Sequence, residues 1–270
     1  MEAFFLPAAP GQRFAVLHRP STGQAVRGGV VYVHPLAEEM NCSRGVVARQ
    51  ARLFAAAGFA VLQLDLHGCG DSSDDFGDAT WAGWQADVHL ACDTLQKEIS
   101  APLCLWGLRA GALLAAQVAR QRPDAPALLL WQPLWNGALG LRQLLRLKLA
   151  GELMTGGEGG GSKVLRQKLQ AGETLEIAGY RLSPALAAAL EAAAWPEDMA
   201  PRRIAGFELV ADAARELSPV ATAQLASWRA AGHAAALNSI ACPAFWQTPG
   251  LDAAPELGVA SLAALTEIFA

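Results

Sequence analysis

The chain has 270 residues, a formal net charge of −4 and a pI near 5.7, a balance that argues against a nucleic-acid binder with its basic field. With 53% hydrophobic and 17% charged residues it is not a largely disordered chain. No apolar stretch reaches the roughly 18 residues of a membrane span, and the start MEAFFLPAAPGQR lacks the basic end and long apolar region of a signal peptide, so a cytoplasmic location is expected.

FFL at 4–6 and FAVLH at 14–18 read as two strands joined by a Pro-Gly turn. GVVYVHP at 29–35 is Val-rich without alternation, the pattern of a strand buried on both faces. Helical spacing over 43–58 ends at Gly58, a fitting C-cap. A second buried strand, FAVLQLDLHG at 59–68, leads to a helix at 79–99. The strand APLCLWG at 101–107 runs into a helix at 109–121, and PALLLWQP at 126–133 is a further strand. Residues 134–205 break the rhythm with helical segments and a flexible Gly-rich tract, GGEGGGS at 156–162. GFELVADA at 206–213, a helix at 218–232, HAAALNSI at 233–240 and a closing helix at 256–270 restore it.

Strands alternating with helices predict a mostly parallel sheet with helices on both faces. Two N-terminal strands, then six alternations with an insertion after the sixth strand, make the α/β-hydrolase layout. Residues 1–133 and 206–270 are the expected eight-stranded core, and 134–205 the expected helical cap or lid.

LCLWGLRAGALLA at 103–115 raises the question of function. A short apolar run ends in Gly-Leu-Arg-Ala-Gly and turns at once into a helix, the shape of the nucleophile elbow G-x-S-x-G. Arg109 stands where the serine would be, and a guanidinium, always protonated, cannot attack a carbonyl. The layout orders its triad Ser, then Asp or Glu, then His. The histidines are His18, His34, His67, His89 and His233, so none follows the last strand; Phe245 and Trp246 occupy that region instead. Asp212 and Glu216, after the seventh strand, are the candidates for the acid, with solvated loop carboxylates as the plainer reading.

VYVHPLAEEMN resembles the oxyanion loop after the third strand, which would point the amides of Leu36 and Ala110 into the pocket; His34 reads there as a packed loop histidine. Cys69 in HGCGDS lies two residues from His67, yet a structural Gly-rich turn accounts better for it, and Ser72 and Ser73 rank no higher. GCGDSS is not a phosphate loop, since it lacks the lysine and the full glycine spacing. Five cysteines without C-x-x-C predict reduced thiols rather than disulfides or zinc. Neither a metal nor a cofactor is expected.

Arg109 opposes the dipole at a helix N-terminus and needs a partner if buried. Glu38 and Glu39 are placed to form a forked pair with it, which would close a dead site. The functional alternative is an anion clamp made of the guanidinium and the helix amides. Arg142, Arg146 and Lys148 add charge nearby, although a solvated helix face explains them as well. Trp106, Trp131, Trp135 and Trp246 fall near predicted strand ends, where they serve core packing or wall a sugar site.

The stretches EAFFLPAAPGQRF, VYVHPLAEEMNCSR, LDLHGCGDS and LWGLRAGALLA, with LLLWQPLWNG, SPVATAQLASWRAAG and PAFWQT, resemble the α/β-hydrolase-like family called exosortase A system-associated hydrolase 2. The resemblance runs along nearly the whole chain. It implies a bacterial protein that accompanies exopolysaccharide production and the exosortase machinery, with proteins of that system as partners. Three functions stay open. One is a pseudo-enzyme that binds an anionic or carbohydrate-like small molecule through Arg109, Ala110, His34, Leu36, Glu38 and Glu39. The others are an ester or thioester hydrolase with an atypical site, and a non-catalytic structural partner.

Overall fold

Strands buried on both faces need helices on both sides of their sheet, and the chain supplies them in strict alternation. The fold is taken from a computed structural model that describes all residues except 24, 123, 125, 155–160, 213–214, 249 and 251–252. β1 (Glu2–Pro7) and β2 (Gln12–His18) form a hairpin, then β3 (Gly28–Val33) leads to α1 (Glu38–Ala56) and β4 (Phe59–Leu64) to α2 (Trp81–Glu98). β5 (Leu103–Leu108) turns directly into α3 (Ala110–Gln121), and β6 (Ala127–Trp131) precedes the insertion. The insertion holds α4 (Gly137–Met154), α5 (Gly161–Gln170), β7 (Leu175–Ile177), β8 (Tyr180–Leu182) and α6 (Pro184–Ala192). β9 (Arg203–Val210), α7 (Pro219–Ala230), β10 (Ala234–Ala241) and α8 (Pro255–Ile268) complete the chain.

The large sheet runs β1-β2-β4-β3-β5-β6-β9-β10. β2 pairs antiparallel with β1 and β4, and every other pairing is parallel. This is the eight-stranded α/β-hydrolase sheet that the alternation predicts. Two details differ. The helix expected to begin at 43 begins at Glu38, so the two glutamates belong to the first turn of α1 rather than to a loop. The insertion also contains a hairpin, β7–β8, where only helices were expected. Its strands are three residues each, too short to show a period of two, and its turn places Ala178 and Gly179 at positive φ without the usual Asn-Gly or Asp-Gly signal. Of the Gly-rich tract, residues 156–160 lie outside the described residues, and Gly161 and Ser162 open α5.

The core divides between the two faces of the sheet. Under α1 and α8, Trp106 meets Trp131 edge-on at 4.7 Å, and the Trp131 indole donates to Ser261 Oγ at 2.8 Å. Trp135 packs instead with Trp195 and Trp228, at 5.8 and 5.7 Å. Three of the four tryptophans considered as sugar walls are thus packing residues, because their rings are spent on one another.

The Gly-rich turn after β4 is a structural pin. The amide of His67 and Arg13 Nε each donate to buried Asp87 at 2.7 Å, and Ser72 Oγ and Ser73 Oγ accept from the amides of Phe14 and Gln12 at 3.0 Å. Helix α2 is opened by Thr80, whose Oγ1 accepts from the Gly83 amide at 3.0 Å. Thr80→Ala should therefore lower stability by about 1 kcal/mol in urea unfolding, and an unchanged midpoint would show that the cap contributes nothing. All five cysteines are unpaired.

Candidate functional site

Leu108 ends β5 and Ala110 begins α3, so Arg109 alone makes the turn. It sits at φ 56°, ψ −118°, a conformation that residues with side chains rarely hold unless their surroundings impose it. The surroundings do so here. The Arg109 amide donates to Trp131 O at 3.0 Å, and its carbonyl accepts from the amides of Ala112 and Leu134, both at 3.1 Å. Gly107 and Gly111 permit the approach: a Cβ on Gly107 would overlap the Ala112 backbone, and one on Gly111 the carbonyl oxygens of Val33 and His34. The Arg109 turn thus has the strand–turn–helix form predicted for an elbow.

Arg109 is only 5% exposed. Its Nε and Nη2 both donate to one oxygen, Glu39 Oε1, at 3.3 and 3.2 Å, and Nη2 also donates to Gln143 Oε1 at 2.5 Å. The Trp246 ring stands 5.2 Å from the guanidinium carbon. A cation at a helix N-terminus works against the dipole. A carboxylate, an amide oxygen and the negative face of an indole offset that cost. Burial pushes the Glu39 carboxyl up from its ordinary range, and the charge and hydrogen bonds of Arg109 oppose the shift.

The predicted fork with both glutamates does not form. Neighbouring residues on a helix project about 100° apart, so Glu38 takes other partners. Its Oε2 accepts from Tyr180 Oη at 3.2 Å and Asn41 Nδ2 at 3.3 Å, and its Oε1 lies 3.8 Å from the Cys42 thiol. Gln143 has no signature in the sequence, because an amide on a helix 34 residues away from Arg109 gives no local signal.

A cleft of about 570 Å³ opens above the cluster, between the start of α1, α4 and the short 3-10 turn Phe245–Gln247. Leu36, Leu134, Leu144 and Trp246 supply apolar wall. Glu38, Glu39, Gln143, Arg146 and Gln247 supply polar groups. Arg109 does not line the cleft, being covered by Glu39, Gln143 and Trp246. The region expected to lack a histidine is thus filled by an indole that packs on the elbow residue itself.

The other predicted residues divide. Leu36 lines the cleft, whereas Ala110 is buried beneath it. Among the described residues neither of their amides has an acceptor. His34 does not reach the cleft. Its Nε2 accepts from the Leu66 amide at 3.1 Å and its Nδ1 lies 2.7 Å from Pro35 O, so both ring nitrogens are used, and burial lowers its pKa. Asp212 and Glu216 are exposed after β9, and neither lines the cleft nor bonds Arg109. Arg142 is exposed, Arg146 faces the cleft, and Lys148 donates to Glu176 O at 2.9 Å.

No histidine meets a nucleophile among the described residues. The thiol at the cleft, Cys42, lies 3.8 Å from the Glu38 carboxylate. Burial and that carboxylate push it up from its ordinary range and away from the reactive thiolate. His67 bonds Asp74 at 2.8 Å rather than Cys69, whose thiol burial pushes far above the usual range. His18 bonds Gln63, His89 bonds Gln121, and His233 accepts from the Arg202 amide. None meets a hydroxyl or a thiol.

The sheet order, the elbow and the insertion after β6 define an α/β-hydrolase-fold protein. The model of the serine aminopeptidase S33 family matches residues 24–167, more than half of the chain, and the chain belongs to that family. Among solved structures it is similar to Est1E from Butyrivibrio proteoclasticus with ferulic acid bound, at 18% identity over 98% of this chain and 99% of that one, with a TM-score of 0.67. A highly thermostable carboxyl esterase from Bacillus coagulans, in complex with glycerol, is 14% identical over 100% and 99% of the two chains, with a TM-score of 0.65. Proline iminopeptidase from Mycobacterium smegmatis is 15% identical over 99% of each, with a TM-score of 0.59. At these identities the likeness is one of fold. No curated protein matches the chain.

Proposed function

We propose that this chain is a pseudo-enzyme of the hydrolase fold whose cleft binds a carbohydrate-like small molecule, in the cytoplasm and in the exopolysaccharide and exosortase setting that the sequence resemblance implies. One observation carries the reading. The elbow holds a cation partnered by Glu39, Gln143 and Trp246, beneath a cleft that remains open. Without a serine at the elbow and a histidine in contact with it, ordinary Ser-His-Asp hydrolysis loses several powers of ten in rate. The cleft chemistry favours sugar hydroxyls over an anion. Glu38 and Glu39 put two carboxylates on the wall against Arg146, and Glu39 already occupies Arg109. Amides and carboxylates among leucines suit a ring with hydroxyl edges and an apolar face. Residues 134–205, which contribute α4 to the wall, act as the lid.

A panel of activated esters and thioesters is expected to show no turnover above the buffer rate with the wild type, Arg109→Ala or Cys69→Ala. Neutral mono- and oligosaccharides are expected to raise the melting temperature of the wild type, and less so of Gln143→Ala. Saturable turnover abolished by either substitution would overturn this reading. It would support the second one, an ester or thioester hydrolase with an atypical site, which the acceptor-free amides of Leu36 and Ala110 favour as an oxyanion cradle.

A further inference from the structure

Helix α1 walls a second pocket with different residues from those it gives the cleft. This pocket, about 230 Å³, lies between α1 and the face of β2, β4 and β3. Phe14, Val16, Val47 and Ala48 form its apolar sides. For scale, an apolar cavity of about 150 Å³ holds benzene. At its wall is Tyr32, 6% exposed, whose Oη makes no hydrogen bond of good geometry, its polar neighbour, the Ser43 hydroxyl, donating instead to Met40 O at 3.0 Å. A buried hydroxyl left unbonded is costly, and at the wall of a cavity it stands open to an acceptor on a ligand.

The remaining polar groups decide what that would be. Arg44, partly exposed, donates from Nη2 to Asp65 Oδ2 at 3.0 Å and lies 3.9 Å from Met40 Sδ through the same nitrogen. Its other N–H groups have no acceptor among the described residues. Asp65 Oδ2 is occupied twice, by Arg44 and by the Asp71 amide at 3.0 Å. Gln63 Oε1 is held by His18 Nε2 at 2.9 Å, which leaves the amide NH₂ of Gln63 to face the pocket. The pocket therefore sets the N–H groups of Arg44 and Gln63 and the Tyr32 hydroxyl against the Ser43 hydroxyl and the Asp65 carboxylate, whose charge Arg44 balances. A guanidinium and a phenol at the end of an apolar chamber match a carboxylate on an apolar body.

We infer that this pocket is a second binding site, separate from the cleft, for a small organic acid with an apolar body of about six carbons. Hexanoate is the probe, titrated by ligand-observed NMR, with hexan-1-ol as the control of equal tail. Hexanoate is expected to bind saturably and hexan-1-ol about tenfold more weakly or worse. Tyr32→Phe should weaken hexanoate about tenfold while moving the melting temperature of the free protein little, since the hydroxyl makes no hydrogen bond of good geometry. Ala48→Phe, on the half-buried rim of α1, should abolish binding with the circular dichroism spectrum unchanged. No saturable signal, equal binding of acid and alcohol, or binding indifferent to Tyr32→Phe would each overturn the assignment. Binding that survives Ala48→Phe would place the acid elsewhere and overturn it as well.

Discussion

Glu39→Ala should cost about 2–3 kcal/mol of stability. The substitution leaves a guanidinium whose side chain is 6% exposed with a single amide oxygen and an indole face. A donor that cannot turn to water loses the whole of its compensation. The reverse change is milder. Arg109→Ser leaves Glu39, a carboxyl that burial already pushes up and that can take a proton or turn its 22% exposed side chain toward water, so it should cost less than Glu39→Ala, about 1 kcal/mol. The double variant should resemble Arg109→Ser alone, because the buried charge is gone in both.

Glu39→Gln sharpens the argument. Burial holds the Glu39 carboxyl above its ordinary value of 4.5 despite Arg109. A carboxyl raised in the folded state contributes stability that is fully present below its unfolded value and is lost as pH rises through its folded value. A neutral acceptor should then serve nearly as well, and Glu39→Gln should cost under about 1 kcal/mol. It should also remove the part of the pH dependence that lies just above 4.5. Urea midpoints at constant slope test all four variants. Equal losses for Glu39→Ala and Arg109→Ser would mean that Arg109 is not the buried partner.

The elements that position this site were legible because each rests on a local pattern. Val30 to Val33 show unbroken apolarity, Gly58 marks the end of α1, and the apolar run of β5 meets a helix without a spacer. The elbow was legible for the same reason, since two glycines four apart at a strand–helix junction have a steric meaning before any contact is known. The partners of Arg109 were legible only in part. Two adjacent glutamates on a supposed loop look equivalent, and only the helical phase of α1 separates Glu39, which faces Arg109, from Glu38, which faces Tyr180. Gln143 and Trp246 arrive from α4 and from beyond β10, at distances along the chain that no local pattern encodes. The cleft and the Tyr32 pocket are unfilled space between elements, which depends on how far apart they pack.

Gly111→Ala should be the most damaging small substitution at the site, at more than about 4 kcal/mol or with loss of soluble protein. The added methyl meets the carbonyl oxygens of Val33 and His34, which belong to backbone and cannot swing aside as a side chain would. To admit it, the first turn of α3 must lift from β3, and Arg109 would leave Glu39 and Trp246 with it. Gly151→Ala on α4 is the natural control. Nothing lies within 4 Å of its would-be Cβ, and replacing glycine by alanine inside a helix gains about 0.5–1 kcal/mol. The same chemical change should thus move the melting temperature in opposite directions at the two sites. A Gly111→Ala protein that melts with the wild type would show that α3 does not need its close seat on β3. If the loss is as large as expected, the elbow demands the same backbone with arginine as it would with serine. The chain would then carry the full steric cost of that turn at a position that holds a cation, with Glu39 and Trp246 set to partner it.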